Sequence, residues 1–453
     1  MKIEAARVSR NRCVDVIFRG YTMKARRRTD VHRARSLMRT GIRTSAHGGG
    51  DAPPHWLDVR RLRLYPLAAL ICYVILAIGW VVRRTVLHQP EVPPLALDFL
   101  PFWSASYLGL NGHALDAYDV IKLTRVEILV EPYMRDLNGI MPWLYPPTML
   151  LFVLPLALLP FWVAYGVFAF GALLLFVRVV RMIAPWPQAI WPILGFPGIA
   201  LVLVAGQAAC LTAGLAGLSL CLLRRHAGWA GVCAGLLFVK PHLAILFPLA
   251  FLCCRAWRAL AACLATALTS WLLSLVAFGP ETLLGFLHGA QAAQGTVAEG
   301  QAHLFRMPTV FIMARMMHAP ILVAYALHAT AALAAAAVVA NAWRKPCAYP
   351  LRAAALVTAS LLISPYLYDY DMVWLGLVIA WLCVHGVARG WRAGEREWLV
   401  LLWLTPLLGL VVVDFVGFQF LPFVTLTTLV GIHRKIRFEA RAVLTQPICE
   451  AAT

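Results

Sequence analysis

The chain has 453 residues, of which 61% are hydrophobic and only 13% charged, and its mean hydropathy is +0.74. That balance excludes a soluble globular protein with an ordinary polar surface and leaves a polytopic helical membrane protein whose surroundings are the bilayer. A net charge of +19 would suit nucleic acid in amount but not in distribution, so no nucleic-acid partner is expected.

Sixteen of the forty Lys and Arg precede Leu64, in a polar leader, 1–63, that includes Lys24-Ala25-Arg26-Arg27-Arg28 and Gly48-Gly49-Gly50-Asp51. Such a segment stays on the cytoplasmic side and can touch anionic lipid. It is expected to be disordered, with Met23 or Met38 as alternative starts. No apolar core follows the first basic residues, so no cleavable signal peptide is read and the first helix acts as the signal anchor.

Residues 64–432 form the integral-membrane region. Its first apolar run is Leu64 to Val82. A more polar stretch, 83–143, follows, in which Asp116, Asp119, Lys122, Arg125, Glu127 and Glu131 alternate with Val120, Ile121, Leu123, Val126, Ile128 and Leu129. That pattern predicts one or two amphipathic helices lying flat on the membrane surface. Just before them, in Ala96-Leu97-Asp98-Phe99, stands a carboxylate among apolar and aromatic residues. A charge there must sit in a watery recess or be paired, which makes Asp98 a functional-site candidate; the plain alternative is an acidic loop residue at headgroup level.

Apolar runs resume at Phe161 to Val177, Ala189 to Ala205, Ala208 to Leu223, Ala227 to Val239, His242 to Cys254, Leu260 to Phe278, Pro320 to Ala342, Ala353 to Ser364, Met372 to Val387, Leu399 to Val413 and Phe415 to Val430. With the first run they predict about twelve crossings. A second amphipathic interfacial segment is predicted at Leu304 to Met317, and Gly279 to His303 reads as a loop. The tail, 433–453, is basic.

With the N-terminus inside, the expected inner loops and tail collect sixteen Lys and Arg, among them Arg224, Arg255, Arg344, Arg392 and Arg434, leaving eight for the outer side as the positive-inside rule requires. Both termini are then cytoplasmic. This topology brings Asp98, Tyr145-Pro146-Pro147, Gly206-Gln207, Lys240-Pro241, Tyr368-Asp369-Tyr370-Asp371 and Asp414 to one outer face. Ala227 to Val239 and His242 to Cys254 have 13 residues each, only about 20 Å of helix, so the turns between them should lie below the membrane surface in a cavity.

The eleven cysteines include no Cys-x-x-Cys pair and the histidines show no zinc spacing, so neither a disulfide framework nor a dedicated metal site is read. No Walker-type loop is present for a soluble nucleotide. A phosphate carried on a membrane lipid would suit an outward recess, with a carboxylate as general base and Lys or Arg facing the leaving phosphate.

Asp98-Phe99 after the first helix, Tyr145-Pro146-Pro147, Gly206-Gln207, Lys240-Pro241 and Ser364-Pro365-Tyr366 with Tyr370-Asp371 resemble glycosyltransferase family 87, integral-membrane enzymes of the GT-C superfamily. The resemblance covers roughly Leu64 to Val430. It implies an all-α GT-C-like bundle in a bacterial inner membrane, working at its periplasmic face. The donor would be a polyprenyl-phosphate sugar, with mannose foremost, and the acceptor an envelope glycolipid or glycan. Asp98 would be the catalytic base of an inverting displacement. Lys240, then Arg306 or Arg84, would face the departing phosphate; Gln207 would bind sugar hydroxyls; Tyr145, Tyr370 and Asp371 would complete the substrate site. No cofactor is expected: Asp98-Phe99 lacks the acidic neighbour that many GT-C enzymes carry, leaving a divalent cation open. The rival from another class is a secondary transporter or flippase for a lipid-linked sugar, for which internal repeats and midplane polar groups would be expected.

Overall fold

The computed structural model describes residues 55–89, 91–135, 141–300 and 304–445. Most of the expected basic leader and the last residues of the tail lie outside them. By its internal contacts the chain divides into Met1–Asp58 and Val59–Thr453; the fold below is that of the second unit. Its regular structure is all helical, with no strand among the described residues.

Helix α1, Arg61–Thr85, is apolar on almost every face, and Pro66 is its one buried residue. It meets the body where Pro66 lies against Gly195, a position at which an added Cβ would stand 2.6 Å from the Pro66 carbonyl oxygen. The stretch to Trp143 then forms α2, Leu100–Leu110, and α3, Val120–Val130. Asp119 caps α3, its side chain accepting from the amides of Ile121 and Lys122 and so satisfying donors that a helix start leaves open. α2 buries seven of its eleven residues, and α3, on the stretch expected to be amphipathic, buries one face with Leu123, Val126 and Glu127.

The following helices are α4, Phe161–Ile183; α5, Pro197–Ala205; α6, Ala209–Leu222; α7, Ala227–Leu236; α8, Trp257–Phe278; and α9, Glu281–Ala298. Then come α10, Ile321–Arg344; α11, Tyr349–Ser360; α12, Leu375–Arg389; α13, Glu395–Val416; and α14, Leu421–Thr445. The predicted apolar runs fall on helices for most of their length, but twelve crossings are not confirmed. Among the described residues six helices are long and apolar enough to cross a membrane, or seven if the pair Pro187–Leu194 and Pro197–Ala205, bent by 48°, is one span. Several central helices are too short because glycine and proline interrupt them. Broken backbone of this kind is tolerated where it is buried in protein rather than lipid, as in α6, which buries nine of its fourteen residues.

Glycines set the closest approaches in this core. An added Cβ at Gly231 of α7 would collide with the Ala259 carbonyl oxygen of α8, and one at Gly235 would stand 2.6 Å from Thr266. On α6, Gly214 faces Leu175 of α4, and Gly217 faces Val179 of α4 and Leu377 of α12. Small residues on a helix seam let backbones meet without a hydrophobic driving force from water.

Two further expectations are corrected. Gly279 to His303 is mostly the helix α9 rather than a loop, with Gly285 seated on the Tyr118 ring. Leu304 to Met317 is not one interfacial helix; a turn, Leu304–Arg306, precedes a short helix, Val310–Met316, whose Val310, Phe311, Ile312 and Ala314 are buried. Asp414 falls inside α13 rather than between two crossings, and its side chain is outside what is described.

Candidate active site

Asp98 sits in a single turn, Leu97–Phe99, whose preceding residue, Ala96, adopts the left-handed conformation at φ 59°. A non-glycine residue there is strained, and the surroundings hold it in place. Ala96 is fully buried, and its amide donates to the Val204 carbonyl at 2.9 Å. Phe99, also fully buried, inserts its ring among Phe102, Phe161, Tyr165 and Phe168. The turn is thereby fastened to the end of α5 on one side and to α4 on the other.

Gly206 explains the next motif. It ends α5 in the left-handed region at φ 84°, the usual use of glycine after a helix, and an added Cβ would stand 2.7 Å from Phe99 Cβ. Gln207 follows, its amide donating back to Val202 at 3.1 Å. Its side chain reaches Asp98: Gln207 Nε2 donates to Asp98 Oδ2 at 3.3 Å, while Tyr145 Oη donates to Gln207 Oε1 at 2.8 Å. Tyr118 in turn donates its hydroxyl to the Tyr145 carbonyl at 3.2 Å.

Beside this chain of bonds lie two ion pairs. Lys240 Nζ donates to Asp371 Oδ1 at 3.1 Å, with the side chains only 4% and 3% exposed. Arg306 grips Asp369 with two bonds, Nε to Oδ2 at 3.0 Å and Nη2 to Oδ1 at 3.1 Å, the fork geometry that makes arginine–carboxylate pairs strong. The rings of Tyr368 and Tyr370 stack at 5.4 Å between centroids. Arg306 stands over Tyr368 at 5.9 Å and Lys240 over Tyr370 at 4.8 Å, within cation–π range.

The site therefore has two layers. Lys240, Asp369, Tyr370, Asp371 and Gln207 are all below one-tenth exposed and form its floor. Asp98, Tyr145, Arg306 and Tyr368 are half-buried and form its more accessible layer. Instead of an empty cavity around all the polar residues, the ion pairs and tyrosine rings fill the floor. Burial pushes the Asp98 carboxyl above the ordinary carboxylate range; the charges of Arg306 and Lys240 and the Gln207 hydrogen bond pull the other way, and Asp369 adds to the push. Burial, with the Asp371 and Asp98 carboxylates, holds the Tyr145 phenol well above its usual value, so that it remains a donor.

The residues read from the sequence as Asp98, Tyr145, Gln207, Lys240, Arg306, Tyr370 and Asp371 thus come together. Arg84 does not join them: it pairs with Glu131 at 3.0 Å and stands over the Tyr133 ring at 4.4 Å. The residue underrated in the sequence is Asp369, passed over in favour of Asp371. Arg306 was the signal for it, since an arginine outside the basic inner loops requires a carboxylate to sit among apolar neighbours.

The family model of glycosyltransferase family 87 matches residues 143–365. Over that stretch the chain belongs to glycosyltransferase family 87. This family 87 protein is accordingly a membrane glycosyltransferase. Tyr145, Gln207, Lys240 and Arg306 lie inside the matched stretch, whereas Asp98 and Asp369–Asp371 flank it. No curated protein and no solved structure matches the chain.

Proposed function

We propose that this family 87 protein transfers a hexose, mannose first among the candidates, from a polyprenyl-phosphate donor to an envelope glycolipid or glycan acceptor, with inversion at the anomeric carbon. The observation that carries the reading is the half-buried Asp98 carboxylate, hydrogen-bonded among the described residues through one of its oxygens and set beside an accessible arginine. In the step proposed, Asp98 takes the proton of the acceptor hydroxyl as its oxygen attacks the anomeric carbon. The bond from that carbon to the phosphate oxygen breaks, and the polyprenyl phosphate departs.

Arg306 is the better placed of the two cations to meet that phosphate. Its side chain is 28% exposed against 4% for Lys240, and two of its five N–H groups are spent on Asp369, leaving donors for an incoming anion. Lys240 is enclosed with Asp371 and supports the floor. Tyr368 and Tyr145 offer ring faces and a hydroxyl on which a sugar can rest. The reaction is placed at the periplasmic face of a bacterial inner membrane, with both termini cytoplasmic.

Purified protein supplied with radiolabelled polyprenyl-phosphate-mannose and an envelope glycolipid fraction should transfer label. Asp98→Asn should lower the rate by about 10²–10⁴-fold, the usual share of a general base, while donor binding stays largely intact. Full activity in that variant would overturn the mechanism.

A further inference from the structure

We infer that Gln207 is a positioning residue for Asp98 rather than a ligand for the sugar: it ties down one carboxylate oxygen and leaves the other to receive the acceptor's proton. The inference rests on the reading of Asp98 as the base. Gln207 Nε2 donates to Asp98 Oδ2 at 3.3 Å and Gln207 Oε1 accepts from the Tyr145 hydroxyl at 2.8 Å. Both ends of the amide are therefore engaged, one amide hydrogen remains, and the residue is only 8% exposed. A side chain so committed has little left to offer a substrate.

The polarity of the chain is fixed by its two ends. An ionised carboxylate only accepts, so the amide nitrogen must face Asp98 and its oxygen must face Tyr145, whose phenol donates. Each part is anchored by a different element. Gln207 is held by the hydrogen bond its backbone N–H donates to the Val202 carbonyl at 3.1 Å, and Asp98 by the one that the Ala96 N–H donates to the Val204 carbonyl at 2.9 Å. Tyr145 is held by Tyr118 at 3.2 Å and by rings at 4.9 Å, Phe102, and 5.1 Å, Trp143. Among the described residues Asp98 Oδ1 accepts no hydrogen bond, which makes it the oxygen free to take a proton.

The charged groups that act on Asp98 are Arg306, Asp369 and Lys240, and the phenols nearby are Tyr145, Tyr368 and Tyr370. None of these changes in Gln207→Met, a variant of similar volume without the amide. The hydrogen bond favours the ionised carboxylate, so its loss raises the pH at which Asp98 becomes competent.

In the transfer assay with polyprenyl-phosphate-mannose, kcat of Gln207→Met should fall roughly tenfold, with the acid limb of the kcat–pH profile moved to higher pH and KM for the donor unchanged. Tyr145→Phe, which releases the far end of the amide, should move the limb in the same direction by less, and it keeps the inference open to refutation if Gln207→Met does not fold. An unmoved acid limb in folded protein, or a raised KM with kcat intact, would overturn the positioning role. Asp98→Asn measured alongside separates the two readings: full transfer there refutes the base itself, independently of Gln207.

Discussion

Glu127 has no place to put a charge. It is fully buried on α3, neither carboxylate oxygen has a hydrogen-bond partner among the described residues, and burial pushes its carboxyl up to about 8. An unfolded glutamate titrates near its ordinary value of 4.5, so the folded protein binds the extra proton between these two values. The sign follows: stability is greatest at the acid end of that window and falls as pH rises through it, by about 1.4 kcal/mol per unit. Thermal unfolding in detergent, followed from pH 6 to 8, should show this decline in the native protein and a flatter profile in Glu127→Gln. An equal decline in both would refute it. The residue was legible, because Leu123, Val126 and Glu127 share one helix face by their spacing, yet alternation of charge along the segment hid it among solvated neighbours. Asp369 was hidden differently. Two aspartates within one turn look alike in sequence, and only the fold assigns one to Arg306 and the other to Lys240.

At the scale of elements, α7 against α8 is the tightest seam, and its glycines are not equivalent. Gly231 meets backbone at once, whereas an added Cβ at Gly228, on the same helix, would have nothing within 4 Å. Gly231→Ala should therefore destabilise the solubilised protein by roughly 1–3 kcal/mol, the usual cost of overpacking, while Gly228→Ala should leave it unchanged or slightly firmer because alanine favours helix. Equal melting temperatures for the two would contradict the packing. The same logic accounts for what the sequence hid. Helix α9 contains Gly285, Gly289 and Gly295, which weaken any helical reading, and Gly285 is there because the Tyr118 ring occupies the space of a side chain. Ala96 carries no sign of its left-handed backbone at all, since the bond that holds it comes from Val204, far along the chain. Gly206 does announce itself, because a helix that stops at glycine is a local event.

For the whole molecule, the apolar runs were legible and the number of full crossings was not. Hydropathy locates helices, but burial in protein and burial in lipid read alike, and the segment Asp369–Arg389 illustrates it: apolar enough to cross, yet 67% buried inside the body. The side on which the site lies remains a proposal that charge supports. A cysteine at exposed His113 should react with a membrane-impermeant maleimide in intact spheroplasts, and one at exposed Arg437 only after permeabilisation; the opposite pattern would invert the map. The loose attachment of α1 has a consequence in time. Tyr73 hydrogen-bonds the Gly195 carbonyl at 3.4 Å, across 122 positions of sequence, and a ribosome adding about 5–20 residues per second needs roughly ten seconds to supply that partner. During that interval α1 is held only by lipid and by partners near it in sequence, Trp80 donating to the Pro93 carbonyl at 2.7 Å and Arg84 pairing with Glu131 at 3.0 Å, so its first half must be stable in the bilayer before the Gly195 surface exists to receive Pro66 and Tyr73.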